Sequence, residues 1–139
     1  GFEIKNGLFK LLDYLKEHNY KIAVATATDL ERATIYLKKA KVFDYFDEII
    51  CGDMIKNGKP DPDIYIKAVE KLNLTADECL ALEDSPNGIK SAYNAGCKII
   101  MVPDLSPADE TVNKMVLCDA ESLDKVINVL EEQNGNKCI

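Results

Sequence analysis

The chain has 139 residues, 47% of them hydrophobic, and a formal net charge of −7. That length fits one domain, or a large part of one, with enough interior for a core. The acidic balance argues against nucleic-acid binding, no apolar run approaches the ~20 residues of a bilayer span, and no leader-like stretch with a basic start and an apolar middle is seen.

Helical and strand patterns alternate along the chain. Leu8, Leu11, Leu12 and Leu15 recur at helical spacing, and the short apolar run of residues 21–26 (KIAVAT) reads as a strand buried on both faces. His18, the single histidine, falls between the two and suits a helix end. A second helix is expected over residues 29–39 and a second strand over 48–51. A loop rich in Gly, Lys, Asn and Pro follows, then a helix over 62–72. The third strand, 79–82, runs into Glu83-Asp84-Ser85-Pro86 and a helix over 87–94 that Gly96 closes as a C-cap. A strand over 98–102, a shorter one over 115–118 and an amphipathic helix over 122–132 complete the pattern, with residues 134–139 expected to fray. Such alternation predicts an α/β fold, a doubly wound parallel sheet with helices on both faces, in one domain spanning 1–139. The five cysteines (Cys51, Cys79, Cys97, Cys118, Cys138) are odd in number and form no C-x-x-C pair. They read as reduced, mostly buried thiols in a soluble, cytoplasmic protein.

In an open parallel sheet, ligands bind beyond the carboxyl ends of the strands, so the residues just after each strand carry the chemistry. Three exits stand out. Thr26-Ala27-Thr28-Asp29 places a hydroxyl beside the amides of a helix start, where a phosphate oxygen can sit; an ordinary N-cap by Thr28 or Asp29 is the alternative. Gly58-Lys59-Pro60-Asp61-Pro62 holds a lysine between a flexible and a stiff residue, able to neutralise a transferring phosphoryl group; a solvated surface lysine is the alternative. Glu83 and Asp84 put adjacent carboxylates at the end of an apolar strand. A divalent cation with a taste for hard oxygen, such as magnesium, relieves their repulsion, while purely structural use is the alternative. A hydroxyl, a lysine and an acid pair at successive exits are the partners that a magnesium-bound phosphoryl group requires. No G-x-G-x-x-G follows any strand, and Gly58-Lys59-Pro60 is not a P-loop.

The strings AVATATD, GKPDPDIY and LALEDSPNGIKSAYNAG, in this order, resemble motifs two, three and four of the haloacid dehalogenase superfamily, and most nearly its β-phosphoglucomutase-like phosphatases and mutases. The likeness runs from about residue 7 to 103, and residues 43–47 and Gly52-Asp53 fit the same spacing. By this resemblance Thr26 binds a phosphoryl oxygen with the Ala27 amide beside it, and Lys59 steadies the nucleophile and the transferred charge. Asp84 ligates Mg2+, Glu83 supports the ion directly or through water, and Ser85 lies next to that cluster. The implied activity is magnesium-dependent phosphoryl transfer on a small phosphorylated metabolite through an aspartyl-phosphate. Leu30, where some sugar-phosphate mutases of the family carry a polar residue, favours a phosphatase.

One departure is large. The first motif of the family, D-x-D-G-[TV], which supplies the nucleophilic and the acid/base aspartates, occurs nowhere in the 139 residues, and the helical cap that follows it is also missing. The chain looks like a C-terminal piece of such a core, inactive by itself. The nucleophile-bearing central strand would lie between the strands ending at Thr26 and Glu83, so a gap lined by Ala23, Ala25, Leu80 and Leu82 is expected. The two strands could close up, or the slot could take the missing N-terminal segment or a second copy. The rival reading is a non-catalytic module that uses the slot to recruit a partner strand.

Overall fold

The computed structural model describes residues 7–101, 118–119 and 125–136. The elements follow the expected order: α1 (Leu8–Glu17), β1 (Ala23–Thr26), α2 (Leu30–Lys39), β2 (Glu48–Cys51), α3 (Asp63–Lys71), β3 (Leu80–Glu83), α4 (Pro86–Ala95), β4 (Lys98–Met101), β5 (Cys118–Asp119) and α5 (Lys125–Asn136). Boundaries moved by a few residues where caps decide them. Asp29 stands outside α2 because its carboxylate accepts the Arg32 amide at 2.9 Å. Ser85 does the same for α4, accepting the Gly88 amide at 3.1 Å with Pro86 in the first turn. Gly96 ends α4 at φ 91°, a conformation that favours glycine. His18 is the C-cap of α1, its Nδ1 2.8 Å from the Tyr14 carbonyl oxygen and its ring stacked on Tyr14.

Two expectations at the C-terminal end need revision. The last helix continues to Asn136, so residues 134–136 are helical rather than frayed; no proline interrupts the turn. The fifth strand pairs at Cys118 and Asp119, with residues 115–117 outside the described set, as are 102, 103 and 137–139.

All strand pairings are parallel: β1 with β2 (Ala23 to Glu48 through Thr26 to Cys51), β3 with β4 (Leu80 to Lys98 through Glu83 to Met101), and β4 with β5. They form two sheets instead of one, β1-β2 and β3-β4-β5. Among the described residues β1 and β3 do not pair, so the two strands flanking the expected gap have not closed upon each other. Every residue of β1 stays half-buried, as do Leu80 and Leu82. The reading of residues 21–26 as a strand buried on both faces was too strong, because an edge without a neighbour keeps its side chains partly open.

Alternation along the strands sorts the helices into two layers. Val24 packs with Leu12 of α1 and Leu37 of α2, while Ala25 turns to Ile64 and Ala68 of α3. Leu80, Leu82 and Ile100 meet Leu11 of α1 and Val126 and Leu130 of α5; Ala81 and Ile99 meet Ile89 and Ala92 of α4. Two helices reach both sheets. On one face α1 sends Leu12 to the first sheet and Leu11 to the second, with Leu8 and Leu15 touching both clusters. On the other face α3 sends Ile64 and Ala68 to the first sheet, and Tyr65 and Val69 to the second. These helices clasp the half-sheets together.

Cys51 and Cys97 are buried and Cys79 is half-buried, all as free thiols. Burial pushes the Cys97 thiol up to about 11, so the fold favours its neutral form. Its stabilising contribution is therefore complete below about pH 9 and is lost as pH climbs through about 11. Iodoacetamide at pH 8 is expected to leave Cys97 unmodified in the folded chain and to alkylate it once urea unfolds the protein. Rapid stoichiometric labelling of native Cys97, read by mass spectrometry, would contradict this.

Candidate active site

At the exit of β1 the capping alternative is in place. Asp29 takes the N-cap role, which leaves Thr26 out of it. The Thr26 Oγ1 accepts the Thr28 amide at 3.2 Å, an arrangement that fixes the rotor while leaving the hydroxyl hydrogen to be donated elsewhere. Gly52, just past β2, closes on this turn: a Cβ there would lie 2.4 Å from the Ala27 carbonyl oxygen.

The lysine loop is anchored on two sides. The Lys59–Pro60 peptide is cis. The buried Ser91 of α4 donates its hydroxyl to the Asp61 carbonyl at 2.6 Å, and Asn94 reaches the Pro60 carbonyl at 3.5 Å. At the other end the Asn57 amide donates to the Asp63 carboxylate at 3.0 Å. Lys59 is therefore no freely solvated surface lysine. Its ammonium lies 2.6 Å from Glu83 Oε2, with the side chain 22% exposed, and 5.4 Å from the ring centre of Tyr65.

Glu83 is the last residue of β3, and the pleat turns it to the same face as Ala81, toward α3 and α4. It is only 8% exposed. A buried carboxylate is costly unless paired, and Glu83 is paired twice: Oε2 accepts from both Lys59 and the Tyr65 hydroxyl. Burial first, then the charge of Glu83 and the hydrogen bond to it, push the Tyr65 phenol well above its ordinary range, which keeps the hydroxyl a donor. The other side of the carboxylate rests on Gly88, where a Cβ would meet Oε1 at 2.0 Å. Asp84 follows half-buried in the exit turn, ahead of Ser85, whose hydroxyl oxygen accepts the Gly88 amide as the cap of α4.

Glu83 and Asp84 are hard oxygen donors of the kind that magnesium takes. Among the described residues no third His, Cys, Asp or Glu joins them in a cation cluster.

Of the expected residues, Ala27 and Lys59 share one cleft and Lys59 pairs with Glu83, while Thr26, Asp84 and Ser85 are not among the residues that line it. That cleft, of about 230 Å³, is lined by Ala27, Gly52, Ile55, Lys56, Gly58, Lys59 and Ile64, which joins the exit of β1 to the lysine loop, and Lys59 in turn joins the loop to Glu83. Thr26 itself stands one residue behind the lining. The reading of residue types passed over Tyr65, Gly88, Gly52 and Ser91 as parts of this assembly. Tyr65 left one signal: it neighbours Ile64 on the apolar side of α3, where a phenol hydroxyl needs a polar partner.

Because a Cβ at position 88 has no room beside Glu83, Gly88→Ala is expected to cost about 1–3 kcal/mol, the scale of overpacking. In a Glu83→Ala background the same substitution should cost close to nothing. Urea unfolding of the four chains of this cycle measures the coupling, and equal costs in both backgrounds would refute the contact.

Against known proteins, the model of the haloacid dehalogenase-like hydrolases matches residues 2–102. The chain is 37% identical over 94 residues to a phosphorylated carbohydrates phosphatase of Thermotoga maritima, covering 68% of this chain and 44% of that protein. It is 31% identical over 139 residues to hexitol phosphatase A of Escherichia coli, covering 100% of this chain and 62% of that one. Among solved structures, a β-phosphoglucomutase from Clostridium difficile superposes with a TM-score of 0.81 at 25% identity, covering 98% of this chain and 59% of that chain. CbbY from Rhodobacter sphaeroides, in complex with phosphate, superposes with a TM-score of 0.79 at 29% identity, covering 88% and 55%. The chain thus spans about half the length of the relatives it matches. With its fold and its three motif-bearing strand exits, it belongs to the haloacid dehalogenase-like hydrolases, in the β-phosphoglucomutase-like group.

Proposed function

We propose that this chain supplies the phosphate- and magnesium-handling side of a phosphoryl-transfer enzyme acting on a small phosphorylated metabolite, a phosphorylated carbohydrate being the class its relatives' names suggest. The observation that carries this reading is Lys59, which lines one cleft with Ala27 while its ammonium is held at 2.6 Å by a buried carboxylate. In the proposed reaction a phosphomonoester enters the cleft with its oxygens against the Ala27 turn and the Thr26 hydroxyl. Lys59 offsets the charge that spreads over the phosphoryl oxygens as the ester bond breaks. Asp84, with Glu83 behind it, would hold Mg2+, which when bound neutralises further phosphoryl charge.

The nucleophile is an aspartate that these 139 residues do not provide in the expected D-x-D-G frame. We place it on a parallel strand between β1 and β3, contributed by a preceding segment or by another chain. Its carboxylate takes the phosphoryl group, and the alcohol departs with a proton from the second aspartate of the same frame. Water or a second hydroxyl, giving its proton back to that aspartate, then takes the phosphoryl group and frees the first carboxylate. Two successive displacements replace one harder step. A strand seat is supported by the edges of β1 and β3, each of which, among the described residues, pairs with a strand on one side only, and by α1 and α3, which pack on both sheets. The same edges favour the rival reading, a strand-recruiting module without catalysis.

The test joins the chain behind the N-terminal half of the Thermotoga maritima phosphatase and assays a generic phosphomonoester. Magnesium-dependent hydrolysis is expected from the joined protein, abolished by EDTA, and none from the 139 residues alone. Lys59→Ala should lower kcat by roughly 10²–10³, the scale for removing one electrostatic stabiliser. Asp84→Asn should remove the response to magnesium; unchanged activity would take Asp84 out of the mechanism. Inactivity of the joined protein, with a strand shown to bind, would favour the module.

A further inference from the structure

We propose that Tyr65 is a positioning residue for Lys59, acting through the carboxylate that both share. The proposal rests on the reading of Lys59 as the cation that meets the phosphoryl group, and it adds a residue which that reading does not use.

The geometry has three parts. The Tyr65 hydroxyl and the Lys59 ammonium donate to the same atom, Glu83 Oε2. The opposite oxygen occupies the space that a Cβ at Gly88 would need, so the carboxylate sits close against the first turn of α4. The ammonium also sits 5.4 Å from the Tyr65 ring centre, close enough for the ring face to attract a cation. A four-carbon lysine stem is flexible and carries a strongly hydrated point charge, so a single ion pair leaves its head free to wander. A carboxylate fixed from a second direction by a phenol removes that freedom. The position of Tyr65 on α3, beside the buried Ile64, makes the phenol a rigid post: Ile64 and Ala68 fasten the helix to the first sheet while Tyr65 reaches toward the second. Phenylalanine at this position would pack equally well and would keep the ring. What it lacks is the second donor to Glu83.

The 139-residue chain as it stands permits the test. With lysine side chains labelled with ¹⁵N, an ammonium locked in a hydrogen bond exchanges slowly enough to give a resolved signal, assigned here by its loss in Lys59→Arg. The Lys59 signal is expected in the unsubstituted chain and should broaden away in Tyr65→Phe while the backbone spectrum stays that of the folded protein. A Lys59 signal unchanged in Tyr65→Phe overturns the proposal. Independently of any variant, the Tyr65 hydroxyl proton should appear as a slowly exchanging resonance, and its absence overturns the proposal as well. Titration with inorganic phosphate, followed at the Ala27 amide, separates this inference from the function it rests on. If Tyr65→Phe weakens phosphate binding by roughly tenfold, the scale of one hydrogen bond to a charged group, both stand. If the Ala27 amide ignores phosphate in the unsubstituted chain while the Lys59 signal responds to Tyr65→Phe, positioning stands and the phosphoryl reading falls. Equal phosphate affinities in the two chains sink the positioning role alone.

Discussion

A carboxylate with 8% exposure at the end of a strand is the constraint on which the site turns. Taking the charge of Glu83 out of water costs several kcal/mol, and the surroundings are arranged to offset it. Lys59 brings a full positive charge, Tyr65 a hydroxyl kept protonated, and Gly88 an absence of side chain that lets the carboxyl group reach its seat. Those partners come from the lysine loop, α3 and α4. One oxygen atom thereby ties the lysine loop and α3 to the tip of β3, and either can move only by leaving a buried charge short of a partner.

The second organising fact is a sheet in two halves. Unpaired strand edges are ordinarily a liability, open to any chain with a strand to offer. Among the described residues β1 and β3 each present such an edge, and α1 and α3 pack on both sheets from opposite faces. The helices do for the halves what hydrogen bonds do within each: they fix where the strand ends lie. Ala27 and Lys59 share a cleft because they follow the paired strands β1 and β2. It is the reach of Lys59 to Glu83 that crosses to the second sheet, although no ladder connects β1 with β3 among the described residues.

The same residues show how a reading by residue type reaches its limit. Thr28 and Asp29 were equally good cap candidates, and only the Arg32 amide on the Asp29 carboxylate decided between them. Lys59 carried the composition of a surface turn, and only its fastening by Ser91 and Asn94 and its contact with Glu83 set it apart. By residue type Glu83 and Asp84 were an adjacent acid pair, and only the family resemblance gave them different roles. The pleat separates them: Glu83 is swung into the protein onto a lysine and a phenol, and Asp84 lies half-buried in the exit turn. Tyr65 sat in plain view inside the motif and went without a role, because its partner is 18 residues away along the chain.

From the amino-acid sequence alone came the order of helices and strands, the parallel architecture, the family resemblance and the three strand exits where chemistry would sit. Those follow from local facts, namely periodicity, caps, and glycine and proline at set places, and a local pattern records them. Which acid faces which cation, why position 88 must lack a side chain, and that the sheet stays in two parts were decided only by the packed structure. Each depends on atoms brought together across the chain, and the energy of burying a charge exists only once the fold has removed the water around it.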